Sequence, residues 1–292
     1  MLLKNKVRMV MGKISSFVRL MRPINCTMMG FAVLVGAFLA DTGFFNAEWL
    51  GVLYGFVTGF TLTAASMAIN DYHDRAIDAI NEPSRPIPSG IISPRQALIF
   101  VFILSLVGFV FAYFTSVLCL VVAIISWIVV TTYVTVGKRS GLPGNFLVST
   151  CVAIPFIYGS IAVISSVPLS VLLFTLMAFL SNTGREITKG IVDVKGDAAE
   201  GIKTIAVLYG KKSAAFAASF FYVFAVALTP LPWVLNMVSF WFIPFVLVTN
   251  VGLVVASIIL LGDHTRESAR KIKKWVLLLF VWGLLAYLVG VV

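Results

Sequence analysis

The stretch Asn70-Asp71-Tyr72-His73-Asp74-Arg75-Ala76-Ile77-Asp78 follows directly on the apolar run Trp49–Ile69. An uninterrupted apolar run of about 20 residues is long enough to cross a hydrocarbon layer as helix. If that helix continues through the polar stretch, Asn70, Asp74 and Asp78 stand at i, i+4 and i+8, with Asp71 one turn before Asp74. Four oxygen-bearing side chains then share one face. Like charges at this spacing repel, and a carboxylate at membrane depth costs about 2.5–3.5 kcal/mol. Such an arrangement calls for a ligand.

Working outward, eight further apolar runs are found at Pro23–Ala40, Gln96–Tyr113, Val117–Val136, Asn145–Ile164, Leu169–Thr183, Ala214–Leu231, Phe240–Leu261 and Lys274–Val292. The 292 residues are 60% hydrophobic and 12% charged, against about 25% charged in an ordinary soluble domain. A soluble enzyme, a disordered chain and a protein with a single anchor are excluded. The expected fold is an all-α membrane protein with nine transmembrane helices, one polytopic domain over residues 1–292.

The net charge of +10 raises the question of nucleic acid. With nine spans, however, all 22 Lys and Arg fall in the N-terminal arm or in the loops after spans two, four, six and eight. These lie on one side, which the positive-inside rule makes the cytoplasm, leaving the C-terminus outside. The basic balance is therefore topology, and no nucleic-acid partner is expected. No small-residue cleavage site follows the basic N-terminus, so that arm is expected to be kept. Cys26, Cys119 and Cys151 lie within spans without paired spacing and read as small buried hydrophobes.

Of the 12 acidic residues, only Asp41 and Glu48 fall on the outer side. A second cluster closes span six, Arg185-Glu186-Ile187-Thr188-Lys189-Gly190-Ile191-Val192-Asp193-Val194-Lys195-Gly196-Asp197. Asp193 and Asp197 are i, i+4, and Arg185 and Lys189 carry the stripe back by two turns, although Gly190 and Gly196 weaken helix there. Hard carboxylate oxygens without Cys or His suit Mg²⁺, which commonly bridges carboxylates and substrate phosphates. Two such clusters with interleaved Arg and Lys suggest a Mg²⁺–diphosphate site; solvated charge at the membrane edge is the plainer reading of either one alone. Three prolines in Asn81–Gly90 fix a tight connection of a kind able to aim Arg85 back toward the acids. Tyr133, Lys138, Arg139, Gly144 and Asn145 form a third element between spans four and five, equally consistent with an aromatic belt and a topology signal.

With these residues in place, the chain resembles the UbiA superfamily of intramembrane prenyltransferases over nearly its whole length, from Arg22-Pro23-Ile24-Asn25 onward. Asn70, Asp71, Asp74 and Asp78 satisfy that family's N-D-x-x-D-x-x-x-D motif, and Asp193 and Asp197 its D-x-x-x-D motif. Gly190 stands where relatives often carry Asp. The resemblance implies nine helices around a central cavity open sideways to lipid, with Mg²⁺ on a polyprenyl diphosphate donor. It assigns metal to Asn70, Asp71, Asp74 and Asp78 and to Asp193 and Asp197, with Asp71, Asp74, Asp193 and Asp197 catalytic. Arg85, Lys138, Arg185 and Lys189 are the candidates for diphosphate or acceptor phosphate, Asn70 is counted with substrate binding as well as metal, and Asn25 and Tyr133 form the polar rim. Asn-Asp-Tyr-His-Asp followed by Arg-Pro-Ile-Pro-Ser-Gly is most similar to the branch that prenylates geranylgeranylglyceryl phosphate in archaeal lipid synthesis.

An aromatic acceptor such as 4-hydroxybenzoate is the alternative within the family, and the bilayer is a partner in either case. An ion-coupled transporter would place acids at mid-span, where none occurs. A nucleotide-dependent transferase would need a phosphate loop, and Gly210-Lys211-Lys212-Ser213 lacks the correctly spaced preceding glycine.

Overall fold

The computed structural model describes residues 2–46 and 48–291. Its eleven helices are α1 (Leu2–Met21), α2 (Pro23–Ala40), α3 (Trp49–Asn81), α4 (Pro94–Thr115), α5 (Val117–Thr135), α6 (Leu142–Ile164), α7 (Leu169–Ala199), α8 (Ile205–Leu228), the single turn α9 (Leu231–Val234), α10 (Phe242–Gly262) and α11 (Arg266–Gly290). Among the described residues, eight helices are long and apolar enough to cross a membrane. The remaining expected span is α7, whose first half is apolar and whose second half carries the Arg185–Asp197 cluster.

Each expected run is thus a helix, but four extend well beyond it at the same end of the bundle. Helix α3 continues through Asn81, α7 runs unbroken past Gly190 and Gly196 and α11 begins at Arg266, while α8 begins at Ile205 but is kinked at Gly210, whose φ of 84° and ψ of 165° are not helical. The polar motifs are therefore helical rather than loop. At this end Ser93, Thr204 and Thr265 cap α4, α8 and α11 by accepting from the backbone N–H groups of Gln96, Val207 and Ser268. Gln96 completes a capping box with Ser93.

The interior is built from small side chains. Ala64, Ala65, Ala68, Ala97, Ala112, Ala214, Ala215, Ala218 and Ala269 are fully buried, whereas Phe102, Phe114, Phe216, Ile258 and Leu278 point outward with more than half their surface free. This follows from the solvent: lipid is as apolar as Leu, so helices associate by close packing of small residues. The crossing of α2 and α6 shows the limit, since a Cβ on Gly159 would lie 2.0 Å from the Val33 carbonyl oxygen and one on Gly36 would lie 2.1 Å from that of Phe156. Gly159→Ala is expected to force these helices apart at a cost of about 1–3 kcal/mol, read as a lower unfolding temperature in detergent. An unchanged temperature would mean that the crossing is looser than described.

Cys26 and Cys119 are buried and Cys151 half-buried, all free thiols, as their positions within spans suggest.

Candidate active site

The continuation of α3 brings Asn70, Asp71, Asp74 and Asp78 to one end of the bundle, each met by a partner. Asp71 accepts from Arg22 at 2.6 Å and lies 3.6 Å from Arg85. Asp78 pairs with the same Arg85 at 2.6 Å, and Asp74 pairs with Lys138 at 2.5 Å while accepting from Asn70 Nδ2 at 3.1 Å. The Asp71 and Asp78 side chains are less than a tenth exposed, so uncompensated charge there would be expensive. The proline-rich connection does aim Arg85 back: the Arg85 N–H donates to the Glu82 carbonyl, the Ser89 N–H donates to that of Arg85, and the guanidinium bridges two carboxylates of the preceding helix.

Arg22 stood in the sequence as a topology charge and as the first residue of the family resemblance, with no site role, yet it holds the first Asp of the motif. It caps α2 in the left-handed conformation, φ 54° and ψ 68°, immediately before Pro23. A non-glycine residue in that region costs of order 1–3 kcal/mol, and a following proline disfavours helical φ/ψ further. The bond to Asp71 helps to hold it there. Asn25, one turn into α2, is exposed and reaches α3 through the Met67 sulfur at 3.9 Å.

On α7, Arg185 and Lys189 both turn onto Glu186, at 3.0 and 3.4 Å. Glu186 stands in the quoted cluster without an assigned part, and its i, i+3 spacing to Lys189 is the signal that could have found it. The Arg185 Nε is buried without a hydrogen-bond partner. Asp193 and Asp197 share a face one turn apart and carry no ion pair among the described residues. Burial, and then the neighbouring Asp193, push the Asp197 carboxyl up to about 6. Both line an open recess of about 530 Å³ with Lys195, Lys211 and Arg266, where Arg266 Nε donates to the Val192 carbonyl at 3.1 Å.

Two features join the clusters. Tyr133, half-buried on α5, lies within electrostatic reach of Asp74 from α3 and of Glu186 and Lys189 from α7. The 3₁₀ turn Gly137–Arg139 carries Lys138, and its Arg139 carbonyl accepts from the Lys203 N–H at 3.2 Å, tying it to the segment after α7. Gly141 makes that approach possible: its φ is +73° and a Cβ there would stand 2.0 Å from the Lys203 oxygen. All the expected site residues therefore gather at one end, but the acids do not converge on a common point. Among the described residues no group of three His, Cys, Asp or Glu side chains is placed to hold an ion; the α3 carboxylates turn to basic side chains instead. The donor set still fits Mg²⁺, being oxygen only, and the unpartnered Arg185 Nε fits a phosphate oxygen. His73 is exposed on the other side of α3, and His264 precedes α11; neither faces these acids as a base.

The chain as a whole matches known proteins. The UbiA prenyltransferase family model matches residues 29–287. A digeranylgeranylglyceryl phosphate synthase from Archaeoglobus fulgidus is 37% identical over 93% of both chains, and one from Methanopyrus kandleri is 35% identical over 94% of this chain and 98% of its own. A solved structure concerned with digeranylgeranylglyceryl phosphate synthase in membranes superposes with a TM-score of 0.85 at 31% identity, covering 96% of this chain and 99% of that one. A UbiA homologue from Archaeoglobus fulgidus bound to GPP and Mg²⁺ shares the fold at a TM-score of 0.66 and 17% identity, over 93% of this chain and 99% of that one. With the family matched from within α2 to within α11 and the fold shared over 96% of the chain, the chain belongs to the UbiA prenyltransferase family.

Proposed function

We propose that the protein transfers a geranylgeranyl group from its diphosphate to the free hydroxyl of geranylgeranylglyceryl phosphate. The observation that carries the chemistry is the set of exchangeable pairs at one end of the bundle: Asp71, Asp74 and Asp78 held by Arg22, Arg85 and Lys138. The acceptor is taken from relatives 30–37% identical over most of the chain, which bear the digeranylgeranylglyceryl phosphate synthase name.

Asn70, Asp71, Asp74 and Asp78 on α3, and Asp193 and Asp197 on α7, would hold Mg²⁺. The ion supplies neutralising charge to a departing diphosphate. Arg85 and Lys138, which hold these carboxylates here, would donate to phosphate oxygens of the donor, and Arg185 has a buried donor ready for another. Such donors stabilise the charge that grows on the leaving group as the allylic C–O bond breaks. Tyr133 and Asn25 form the polar rim above the apolar bundle, whose interior keeps water from the allylic carbon until the acceptor hydroxyl attacks. The acceptor proton becomes acidic as its oxygen bonds to that carbon, so no strong base is required of the chain. The basic end of the bundle faces the cytoplasm in this reading, by the positive-inside rule.

The test is a radiolabelled transfer assay in detergent, using geranylgeranyl diphosphate with geranylgeranylglyceryl phosphate or 4-hydroxybenzoate, each with Mg²⁺ or EDTA. Product is expected with the glycerol phosphate alone, and only with Mg²⁺. Product with the aromatic acid alone would overturn the acceptor and leave the transfer chemistry standing. No product from folded protein in any lane would overturn both.

A further inference from the structure

Helix α1 takes no part in the site described above, and its composition sets it apart. Lys4, Lys6, Arg8, Lys13 and Arg19 fall within it, and the first acidic residue of the chain is Asp41. Its apolar positions Leu3, Val7, Val10, Ile14, Phe17 and Met21 alternate steps of four and three, the register of a stripe along one side of a helix. One edge of that stripe is open in the structure, where Ile14 is 59% and the adjacent Val18 46% exposed, while Phe17 and Met21 at its other edge are half-buried. The inner side of α1 is packed, with Leu20 fully buried in the cluster of Ala65, Ala68 and Ala97, and the Phe17 ring 4.9 Å from that of Phe100. The helix is thus fixed along the bundle at its basic end through Phe17 and Leu20, while Ile14 and Val18 leave an apolar face open.

A helix with this division, too polar to span and too apolar to stand in water, fits the boundary between headgroups and acyl chains. Its charge selects among surfaces. A second copy would bring a like-charged face against it, whereas anionic headgroups complement it and draw basic segments to the membrane surface. We infer that α1 is a docking surface for anionic lipid headgroups, lying in the plane of the membrane beside the site. Its last turn then transmits that attachment. Arg19 Nη2 donates to the Ser84 carbonyl at 3.5 Å, within the connection that carries Arg85, and Arg22 follows directly with its bond to Asp71. The lipid surface that holds α1 thereby fixes the depth of two side chains at the motif.

The whole protein reconstituted in phosphatidylcholine discs, with and without one third phosphatidylglycerol, tests this through backbone amide exchange. Exchange across residues 4–15 is expected to slow at least about tenfold in the anionic discs, and high salt should narrow the difference. Lys4→Gln, Lys6→Gln, Arg8→Gln and Lys13→Gln together should abolish it while leaving the α3 amides protected. Equal exchange in the two lipids would overturn the inference. So would protection that follows protein density rather than headgroup charge, which would mark self-association. Because amide exchange needs no turnover, these outcomes are separate from those of the transfer assay.

Discussion

Asp71→Asn is expected to lower prenyl transfer by about a hundredfold to a thousandfold, the scale seen when one preorganised electrostatic partner is removed from a reacting site. The substitution preserves the shape of the side chain and one acceptor oxygen for Arg22, so the local fold has no steric reason to change. What it removes is the negative charge shared by Arg22 at 2.6 Å and Arg85 at 3.6 Å. Breaking a fully buried pair costs about 3–5 kcal/mol, but both guanidiniums here are about a third exposed. Screening by solvent reduces the cost to about 1–2 kcal/mol, which a melting curve in detergent would register as a modest shift. Near-normal turnover in a protein that melts a few degrees lower would remove Asp71 from the active site and leave it a structural counter-ion.

Asp193→Asn should separate activity from stability completely. Asp193 makes no ion pair among the described residues; its repulsion of Asp197 one turn away is set against attraction from Lys189 and Lys273. Like charges at i, i+4 destabilise a helix by about 0.2–0.5 kcal/mol. The variant is therefore expected to melt at nearly the same temperature while losing at least about a hundredfold in transfer. The opposite pattern, a destabilised protein that still turns over, would show that Asp193 serves the fold and would sink the two-motif site.

Much of this arrangement was legible in the amino-acid sequence, and the reasons are physical. Apolar runs long enough to span a bilayer have few alternatives to helix, because every backbone N–H and C=O must be satisfied within the segment. The shared face of Asn70, Asp71, Asp74 and Asp78 follows from helical spacing once α3 continues past Ile69. The partners of those acids were harder to see. Arg22 and Lys138 stand 49 and 64 residues away from Asp71 and Asp74, and where every basic residue lies on one side of the membrane, side alone does not distinguish a clamp from a topology signal. The basic arm before Arg22 was read by charge, which concealed the amphipathic register that makes it α1. Helix α7 was expected to weaken at Gly190 and Gly196. It continues because packing of its flank, with Gly190 close against the cap residue Thr204, outweighs a propensity loss of about 1 kcal/mol per glycine.

The pairing of α3's carboxylates bears on how the chain enters the membrane. Arg22, Arg85 and Lys138, which neutralise Asp71, Asp74 and Asp78, all precede α6, and Glu186 is paired by Arg185 and Lys189 of its own helix. Among the described residues no ion pair joins the chain before α6 to the chain after it. During synthesis the first four spans can therefore settle with their acids already matched, before α7 has left the ribosome, and the unfavourable exposure of bare carboxylates to the nascent bilayer never has to wait on the second half of the protein.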